Sequence, residues 1–265
     1  MADGSVKEAA AKEEQPGVEF KNVSLTYSGS GAPSVERINF KAMKGQTIGV
    51  IGGTGSGKSS IVNLIPRLYD ATQGEVLVDG VNVKDYDIET LRNKVGIVMQ
   101  KAVLFKGTIR ENMWMGKKGA TDEQIDEALE ISQSKEFVDS KQGRLDYVIE
   151  QGGKNLSGGQ RQRLTIARAI VRKPDVLILD DSASALDFAT DAALRKAIRG
   201  MNNSPTVFIV SQRAASLMYA DLIIVLDDGQ VAGMGTHDEL LANCEVYKEI
   251  YESQFKKADS EGGVA

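Results

Sequence analysis

The sequence has little cysteine, and it has no long apolar run. One thiol among 265 residues, Cys244, excludes an internal disulfide framework and fits a reducing compartment. No apolar run approaches the ~18 residues that a transmembrane helix needs. Residues 1–17 lack the apolar middle of a secretory signal peptide. These absences predict a soluble chain, which would meet a membrane only through another polypeptide or a further segment.

A surplus of positive charge is also missing. The chain has 32 Lys and Arg against 37 Asp and Glu, and acidic residues at its two ends account for most of the formal net charge of −5. This balance argues against a protein that bulk charge steers to DNA, so no nucleic-acid partner is expected. Hydrophobic residues make up 42% of the chain, enough for the core of one large domain or two small ones.

The two ends of the chain differ from its middle. Residues 1–17 are interpreted as a solvated linker and residues 258–265 as a frayed tail. Apolar and polar residues alternate loosely over 18–27, and a Gly/Ser/Pro turn separates this segment from a second strand candidate over 35–43. Together the two candidates predict a small antiparallel sheet at the front of the chain.

Six further short apolar runs have the character of buried strands. Because helical patterns lie between several of them, they predict an α/β core with a mostly parallel sheet. Strand signals nearly vanish between Lys101 and Arg172, so about 101–172 is interpreted as a helical subdomain inserted into that core. The six runs are QTIGVIG, EVLVDG, VGIVMQ, DVLILD, TVFIV and DLIIVL.

A glycine-rich segment follows the first of these runs and matches G-x-x-x-x-G-K-[ST], with a strand before it and a helix after it. Its glycines let backbone N–H groups turn around phosphate oxygens. Lys58 is expected to reach the β- and γ-phosphates of a nucleotide, and the Ser59 hydroxyl to ligate Mg²⁺. The predicted nucleotide-binding residues of this phosphate loop are Gly53, Thr54, Gly55, Ser56, Gly57, Lys58, Ser59 and Ser60.

Two further features support a nucleotide site. Asp180 ends the DVLILD strand, where ligands bind in open α/β sheets and where a carboxylate can hold Mg²⁺ through water. A second anion-binding helix N-terminus is predicted at an LSGGQ segment, although Ser157 is also simply a good N-cap. Two phosphate-type sites in one chain make sense if each completes the site of another subunit. The segment comprises Leu156, Ser157, Gly158, Gly159 and Gln160.

These motifs in combination resemble the nucleotide-binding domain of ATP-binding cassette (ABC) proteins. LSGGQ follows the phosphate loop, and VLILDD and SALD follow LSGGQ, within a match that runs over about 18–257. The fold implied is a P-loop NTPase core with an antiparallel β subdomain and the helical insertion. LRNKVGIVMQKAVLFKGTIRENM resembles the exporter branch, whose ABC domain lies on the cytoplasmic face of a membrane beside a transmembrane domain. The family implies a head-to-tail dimer with each ATP between one phosphate loop and the other subunit's LSGGQ.

The resemblance also implies roles for single residues. Tyr27 matches the aromatic residue that stacks on adenine, and Gln100 matches the glutamine that touches Mg²⁺ or the attacking water. The implied Mg²⁺ ligands are Ser59, Gln100 and Asp180. The implied D-loop, which crosses the dimer interface, comprises Ser184, Ala185, Leu186 and Asp187. A groove for the coupling helices of the transmembrane domain is implied at Val103, Leu104 and Phe105, which as bare sequence suggest core instead.

Two positions depart from the family pattern, and both concern hydrolysis. Asp181 stands where strongly hydrolysing members have Glu, and a misplacement of a catalytic group near ~1 Å can cost ~100-fold in rate. Gln212 stands where the family has a switch histidine, and an amide cannot accept a proton as imidazole does. The single histidine, His237, lies in a helix-start segment and is expected to cap or pack.

The departures lead to the hypothesis of a degenerate site. The chain would bind ATP and hydrolyse it slowly, within a heterodimer whose partner supplies the Glu and the His and uses the LSGGQ of this chain. Three alternatives remain open: a competent homodimeric ABC ATPase, a non-transport ABC ATPase of DNA repair or translation, and a purely regulatory binding module. The absence of a long heptad insertion, a second cassette and a basic surplus argues against the non-transport class.

Overall fold

The computed structural model describes residues 15–181 and 186–261, with side chains as far as Gln254. The strands are β1 (Val18–Leu25), β2 (Val35–Ala42), β3 (Thr47–Gly52), β4 (Gln73–Val78), β5 (Val81–Asn82), β6 (Val95–Val98), β7 (Gly107–Thr108), β8 (Val148–Ile149), β9 (Val176–Asp180), β10 (Thr206–Val210), β11 (Leu222–Asp227) and β12 (Gln230–Gly235). The helices are α1 (Lys58–Leu64), α2 (Ile88–Lys94), α3 (Ile109–Trp114), α4 (Asp122–Ile131), α5 (Lys135–Asp139), α6 (Gly158–Ile170), α7 (Phe188–Arg199), α8 (His237–Asn243) and α9 (Glu245–Glu261). None of these helices is both long and apolar enough to cross a bilayer.

The central sheet has the strand order β12-β11-β3-β10-β9-β6. Every neighbouring pair is parallel except β11 with β12, which closes one edge as an antiparallel strand. Strands β3, β9 and β10 are buried along their whole length, which explains why they read as continuous apolar runs. The predicted α/β fold with a mostly parallel sheet is confirmed.

The second sheet is antiparallel, with the order β2-β1-β4-β5. It contains the two front strands predicted from the sequence and also β4, the EVLVDG run, which the sequence grouped with the parallel core. Val76 and Val78 are buried on β4, whereas Leu77 between them is only partly buried. This alternation is typical of an antiparallel strand with one face on the core, and it explains why the run joins the second sheet.

The range 101–172 is mainly helical, with α3, α4, α5 and α6 and the two-residue strands β7 and β8, which pair with each other. Capping boxes begin three of these helices, where an N-cap side chain accepts from the N3 amide and the N3 side chain accepts from the N-cap amide. The three N-cap residues are Thr108, Thr121 and Ser157. The domain boundaries taken from the sequence stay predictions.

Both ends of the described chain have a defined local structure. The side chain of Gln15 donates to the Asp79 carbonyl at 2.7 Å, and the Asp79 amide donates to the Gly17 carbonyl at 3.0 Å. The last residues of the predicted linker therefore lie against the turn between β4 and β5. Helix α9 continues to Glu261, into the predicted tail, because no Gly or Pro interrupts the chain before Gly262. Residues 1–14 and 262–265 lie outside the described chain.

Candidate nucleotide-binding site

The phosphate loop leaves the central sheet at Gly52, the last residue of β3. A Cβ atom at Gly52 would lie 2.2 Å from the Leu226 carbonyl oxygen and 2.5 Å from the Ser56 hydroxyl oxygen, so no side chain fits there. Gly57 has φ of 95°, and a Cβ atom there would lie 2.5 Å from the side chain of Val35. Glycine is therefore required at both ends of the loop by close approach and, at Gly57, by a left-handed backbone.

Lys58 is a buried cation at the mouth of this loop. Its Nζ donates to the carbonyl oxygen of Gly52 at 2.9 Å and to that of Gly53 at 2.6 Å. Burial lowers the pKa of Lys58, and the carboxylates of Asp180 and Asp181 oppose that shift. An ammonium group has three N–H donors, so the loop holds the cation by two and leaves one for another acceptor.

Asp180 ends β9 as a buried carboxylate beside the loop. The hydroxyl of Ser59, at the start of α1, donates to it at 3.0 Å. Burial raises the pKa of Asp180; the neighbouring Asp181 reinforces the shift, while the Ser59 hydrogen bond and Lys58 oppose it. Hydroxyl and carboxylate oxygens are ligands that Mg²⁺ accepts, and a divalent cation would relieve the repulsion between the two carboxylates. The donor set therefore fits Mg²⁺.

Asp181 is fixed by its main chain as well as by its side chain. Its amide donates to the Val210 carbonyl at the end of β10, at 2.9 Å, and its φ is 45°. The side-chain amide of Gln100, in the loop after β6, donates to the Asp181 carboxylate at 3.2 Å. Gln212 is exposed two residues beyond Val210. The structure thus gathers the three predicted catalytic residues at the carboxyl ends of three neighbouring strands.

Tyr27 lies just after β1 and contacts α1. Its hydroxyl donates to the Ser60 hydroxyl at 3.0 Å. The edge of one ring meets the face of the other between Tyr27 and Tyr69, with ring centroids 4.9 Å apart. Sequence reasoning missed Tyr69, which is 46% exposed and whose only sequence signal is an aromatic residue shortly after the phosphate-loop helix. The two rings together form an accessible aromatic surface next to the phosphate loop.

The LSGGQ segment begins α6 with a capping box. The Ser157 hydroxyl accepts from the Gln160 amide at 3.2 Å, and the Gln160 side chain accepts from the Ser157 amide at 3.0 Å. The simple N-cap interpretation therefore describes the local structure. It does not use the hydroxyl proton of Ser157, which remains able to donate to an anion. Gly158 is exposed, and the one neighbour that a Cβ there would meet is the Arg161 side chain at 4.0 Å.

The chain is similar to known proteins. The model of the ABC transporter family matches residues 35–184, more than half of the sequence. The chain belongs to the ABC transporter family. It is 43% identical over 244 residues to an uncharacterized ABC transporter ATP-binding protein of Bacillus subtilis, a match that covers 92% of this ABC chain and 42% of the relative.

Two further similarities agree with this membership. The ATP-dependent lipid A-core flippase of Mannheimia succiniciproducens is 42% identical over 239 residues, which are 90% of this chain and 41% of the flippase. A solved structure of a bacterial Atm1-family ABC exporter with ATP bound superposes with a TM-score of 0.85 and 32% identity, covering 92% of this chain and 43% of the exporter. The ABC chain thus spans less than half the length of these relatives.

The predicted D-loop of the ABC chain is only partly described. Leu186 packs against the main hydrophobic core, and Asp187 is the N-cap of α7. Asp187 accepts from the Thr190 amide at 2.9 Å, and this bond holds the pKa of its carboxyl below the usual range. Ser184 and Ala185 lie outside the described residues.

The segment predicted to form a docking groove on the ABC chain divides between core and surface. Leu104 is fully buried, whereas Val103 is 41% exposed and Phe105 is 48% exposed. The Arg168 guanidinium lies 5.8 Å from the centroid of the Phe105 ring and donates to the Val103 carbonyl at 2.9 Å. The core interpretation therefore holds for Leu104 alone, and the other two side chains form part of an exposed apolar surface.

His237 packs in the ABC chain and does not cap. Thr236 supplies the N-cap of α8, while His237 Nδ1 lies 2.8 Å from the hydroxyl of Tyr247 and its ring meets that of Tyr251. These contacts join α8 to α9.

Proposed function

We propose that this ABC domain binds MgATP and powers transport by a membrane exporter, while its own ATP site hydrolyses slowly. The proposal of slow hydrolysis rests on Asp181 and Gln212, which follow the carboxyl ends of β9 and β10. Asp181 and Gln212 take the two positions where general-base and switch chemistry are expected, and neither side chain suits that task. The residues expected to bind the nucleotide are all present.

Binding of the triphosphate is supported by the state of the phosphate loop. Lys58 is a buried cation, and one of its three N–H donors is not used by the loop carbonyls. The buried hydroxyl of Ser56 has no hydrogen-bond partner among the described residues. Buried polar atoms in folded proteins are almost always paired, so an unpaired hydroxyl in this loop favours a ligand oxygen as its partner. Tyr27 and Tyr69 provide the aromatic surface for the adenine.

Magnesium would be held by Ser59 and Asp180, with Gln100 close by. Bound there, Mg²⁺ supplies the positive charge that offsets the phosphates. Ser59 and Asp180 hold the metal side of the site, Lys58 holds the phosphate side, and Gln100 bridges toward Asp181 through its amide. Ser59, Asp180 and Lys58 would bind and orient the nucleotide, whereas Gln100 also lies where it could touch the attacking water.

Slow hydrolysis follows from the placement of Asp181. Its carboxylate is one methylene shorter than that of Glu, and a general base must come within ~2.6–3.2 Å of the proton it takes or act through one water. Closing this gap by a backbone shift would strain the 2.9 Å hydrogen bond from the Asp181 amide to Val210. Gln212 can hydrogen-bond a γ-phosphate but offers no basic nitrogen.

A head-to-tail dimer gives the LSGGQ segment its role. Ser157 retains a hydroxyl proton at an exposed helix N-terminus, an arrangement suited to the γ-phosphate of an ATP held by another subunit. We infer a heterologous partner with Glu and His at the two divergent positions, since this LSGGQ would then serve a competent site.

The exposed Val103 and Phe105 suit coupling helices of a transmembrane domain, which would place the ABC domain on the cytoplasmic face of a membrane.

The test measures binding and turnover on one preparation of the chain. Calorimetry in Mg²⁺ is expected to show saturable ATP binding, while phosphate release at saturating ATP stays well below ~1 s⁻¹. Addition of a partner ABC chain with Glu and His should raise the turnover. Failure to bind ATP would overturn the nucleotide assignment, and no gain with such a partner would favour a purely regulatory module.

A further inference from the structure

The C-terminal helix α9 is fastened to the main hydrophobic core. Tyr247 is fully buried, and Ile250 packs against the same core. Gln254 follows Ile250 by four residues and Tyr247 by seven, so all three side chains lie on one face of the helix. That face meets the turn after β10, which contains a short 3-10 helix over Ala214–Ser216.

Gln254 holds this turn through both ends of its side-chain amide. Its Nε2 donates to the main-chain carbonyl of Gln212 at 2.7 Å, and its Oε1 accepts from the main-chain amide of Ala214 at 2.9 Å. The two backbone groups flank Arg213, so the amide pairs with them as a neighbouring strand would. The contact joins residues that are 42 positions apart in sequence.

The other side of the turn is held by the central sheet. The amide of buried Ser211 donates to the Val50 carbonyl of β3 at 3.1 Å, and the Ser211 hydroxyl accepts from the Arg213 amide at 2.9 Å. The backbone of Gln212 therefore lies between an anchor on the sheet and an anchor on α9, while its side chain is exposed. Removal of either anchor would free the backbone that aims this side chain.

We propose that Gln254 is a positioning residue for Gln212, so that the C-terminal helix sets how the switch position meets the γ-phosphate of ATP. This inference rests on the proposed role of Gln212 toward that phosphate. Gln254 itself touches no nucleotide in this arrangement. Glutamine is suited to the task because its amide presents one donor and one acceptor in a plane, whereas Glu keeps only the acceptor.

Mere fastening of α9 and positioning of Gln212 make different predictions. If Gln254 only fastens α9, its removal lowers the stability of the domain whatever residue occupies position 212. Positioning acts only through the Gln212 side chain, so its effect on γ-phosphate recognition disappears when that side chain is removed. A double-mutant cycle between the two positions therefore separates the two roles.

The experiment measures the affinities for MgATP and MgADP by calorimetry, together with the thermal midpoint. Gln254→Ala is compared in the wild-type and Gln212→Ala backgrounds. Ser253→Ala is the control, because its hydroxyl donates to the Ile250 carbonyl of its own helix. We expect Gln254→Ala to lower the preference for ATP over ADP by about 3- to 10-fold, the scale of one hydrogen bond. In the Gln212→Ala background the same change should leave that preference unaltered, and the thermal midpoint should fall equally in both backgrounds.

Gln254→Glu provides a second variant if the alanine variant is too unstable. It keeps the side-chain length and the acceptor for Ala214 and replaces only the donor to the Gln212 carbonyl, so it should lower the ATP preference in the wild-type background and leave it unaltered in the Gln212→Ala background. Equal losses of ATP preference in both backgrounds, or a change in midpoint alone, would overturn the positioning role. Three further outcomes can be told apart. If Lys58→Ala does not weaken ATP binding, the nucleotide site is refuted. If Gln212→Ala does not change the preference for ATP over ADP, the phosphate contact of Gln212 is refuted and the inference with it; if both variants have their effects and Gln254→Ala has none, the inference alone is refuted.

Discussion

The side-chain amide of Gln100 lies 3.2 Å from the carboxylate of Asp181 and donates to it. Gln100 follows β6 and Asp181 follows β9, and these strands are parallel neighbours in the central sheet. Gln212 follows β10, the next strand along. Residues far apart in sequence therefore meet because parallel strands end at one edge of the sheet, and the residues proposed for hydrolysis and for metal binding share that edge.

Lys58→Ala removes the cation at the mouth of the phosphate loop. We expect ATP affinity to fall by about 10- to 100-fold, the scale of a hydrogen bond to a charged group. Calorimetric titration with MgATP measures this change. Lys118→Ala is the matched control, since Lys118 is exposed on the turn before α4. Equal affinities for the Lys58 variant and the wild type would refute the phosphate-loop assignment.

Asp180→Asn tests the buried carboxylate through its pH dependence. Because burial raises the pKa of Asp180, the folded state binds this proton more tightly than the unfolded state. The free energy of unfolding of the nucleotide-free protein should therefore fall as pH rises from the usual aspartate pKa through the raised one. The Asn variant should lose this dependence and be at least as stable as the wild type at neutral pH.

The same variant should no longer be stabilised by MgATP. For the wild type, nucleotide at ~100 times its Kd contributes about 2.7 kcal/mol, or roughly 5–10 °C in thermal midpoint for a domain of this size. Asp238→Asn, at an exposed position in the first turn of α8, should keep that shift. A full MgATP shift in Asp180→Asn would contradict the metal assignment.

Tyr27 is expected to act through its ring. Tyr27→Ala should weaken ATP binding by about 5- to 150-fold, the range for loss of one base–aromatic stack. Tyr27→Phe loses the hydrogen bond to Ser60 and keeps the ring, so it should bind within a few-fold of wild type. Comparison of ATP with inorganic triphosphate in the same titrations tells whether the loss concerns the base. Equal losses for both ligands would place Tyr27 outside the adenine site.

Ser157→Arg should damage the partner's site and spare this chain's own. ATP affinity of the isolated variant should match wild type, while hydrolysis by the heterodimer falls, since the segment contributes donors to a γ-phosphate across the interface. The substitution also removes an N-cap, which costs about 1 kcal/mol. Thr121→Arg removes the equivalent capping box from α4 and controls for that loss. A similar fall in heterodimer turnover for both variants would show an effect on stability alone.

Local motifs made much of the site predictable from sequence. The phosphate loop needs glycine where the backbone is left-handed or closely approached, as at Gly57, and these needs leave a fixed spacing. Asp180 could be placed because a buried strand that ends in a carboxylate appears in the sequence as consecutive apolar residues followed by Asp. The same reasoning misassigned β4, since the sequence does not reveal which of two sheets a short apolar strand joins.

Contacts between residues far apart in sequence have no local sequence motif and could not be predicted in this way. Gln254 lies in a helix in which a surface glutamine is unremarkable, and its role depends on how α9 packs against a turn 42 residues away. Tyr69 meets Tyr27 across 42 residues of sequence, a contact that no local motif announces. The hydrogen bond from Asp181 to Val210, on which the proposal of slow hydrolysis draws, is made by main-chain atoms and does not depend on the side chain at either position.

The hydrolytic weakness proposed for this site can be measured by single-turnover hydrolysis of ATP. The proteins to compare are the wild type, Asp181→Glu, Gln212→His and the double variant. The degenerate site predicts slow turnover by wild type, well below ~1 s⁻¹, because neither Asp181 nor Gln212 supplies the expected chemistry. Since groups that act as a unit are not additive, each single variant should gain little and the double variant should gain more than the product of the two. Wild-type turnover of ~1–10³ s⁻¹ by the chain alone would contradict the claim and establish a competent homodimeric ATPase.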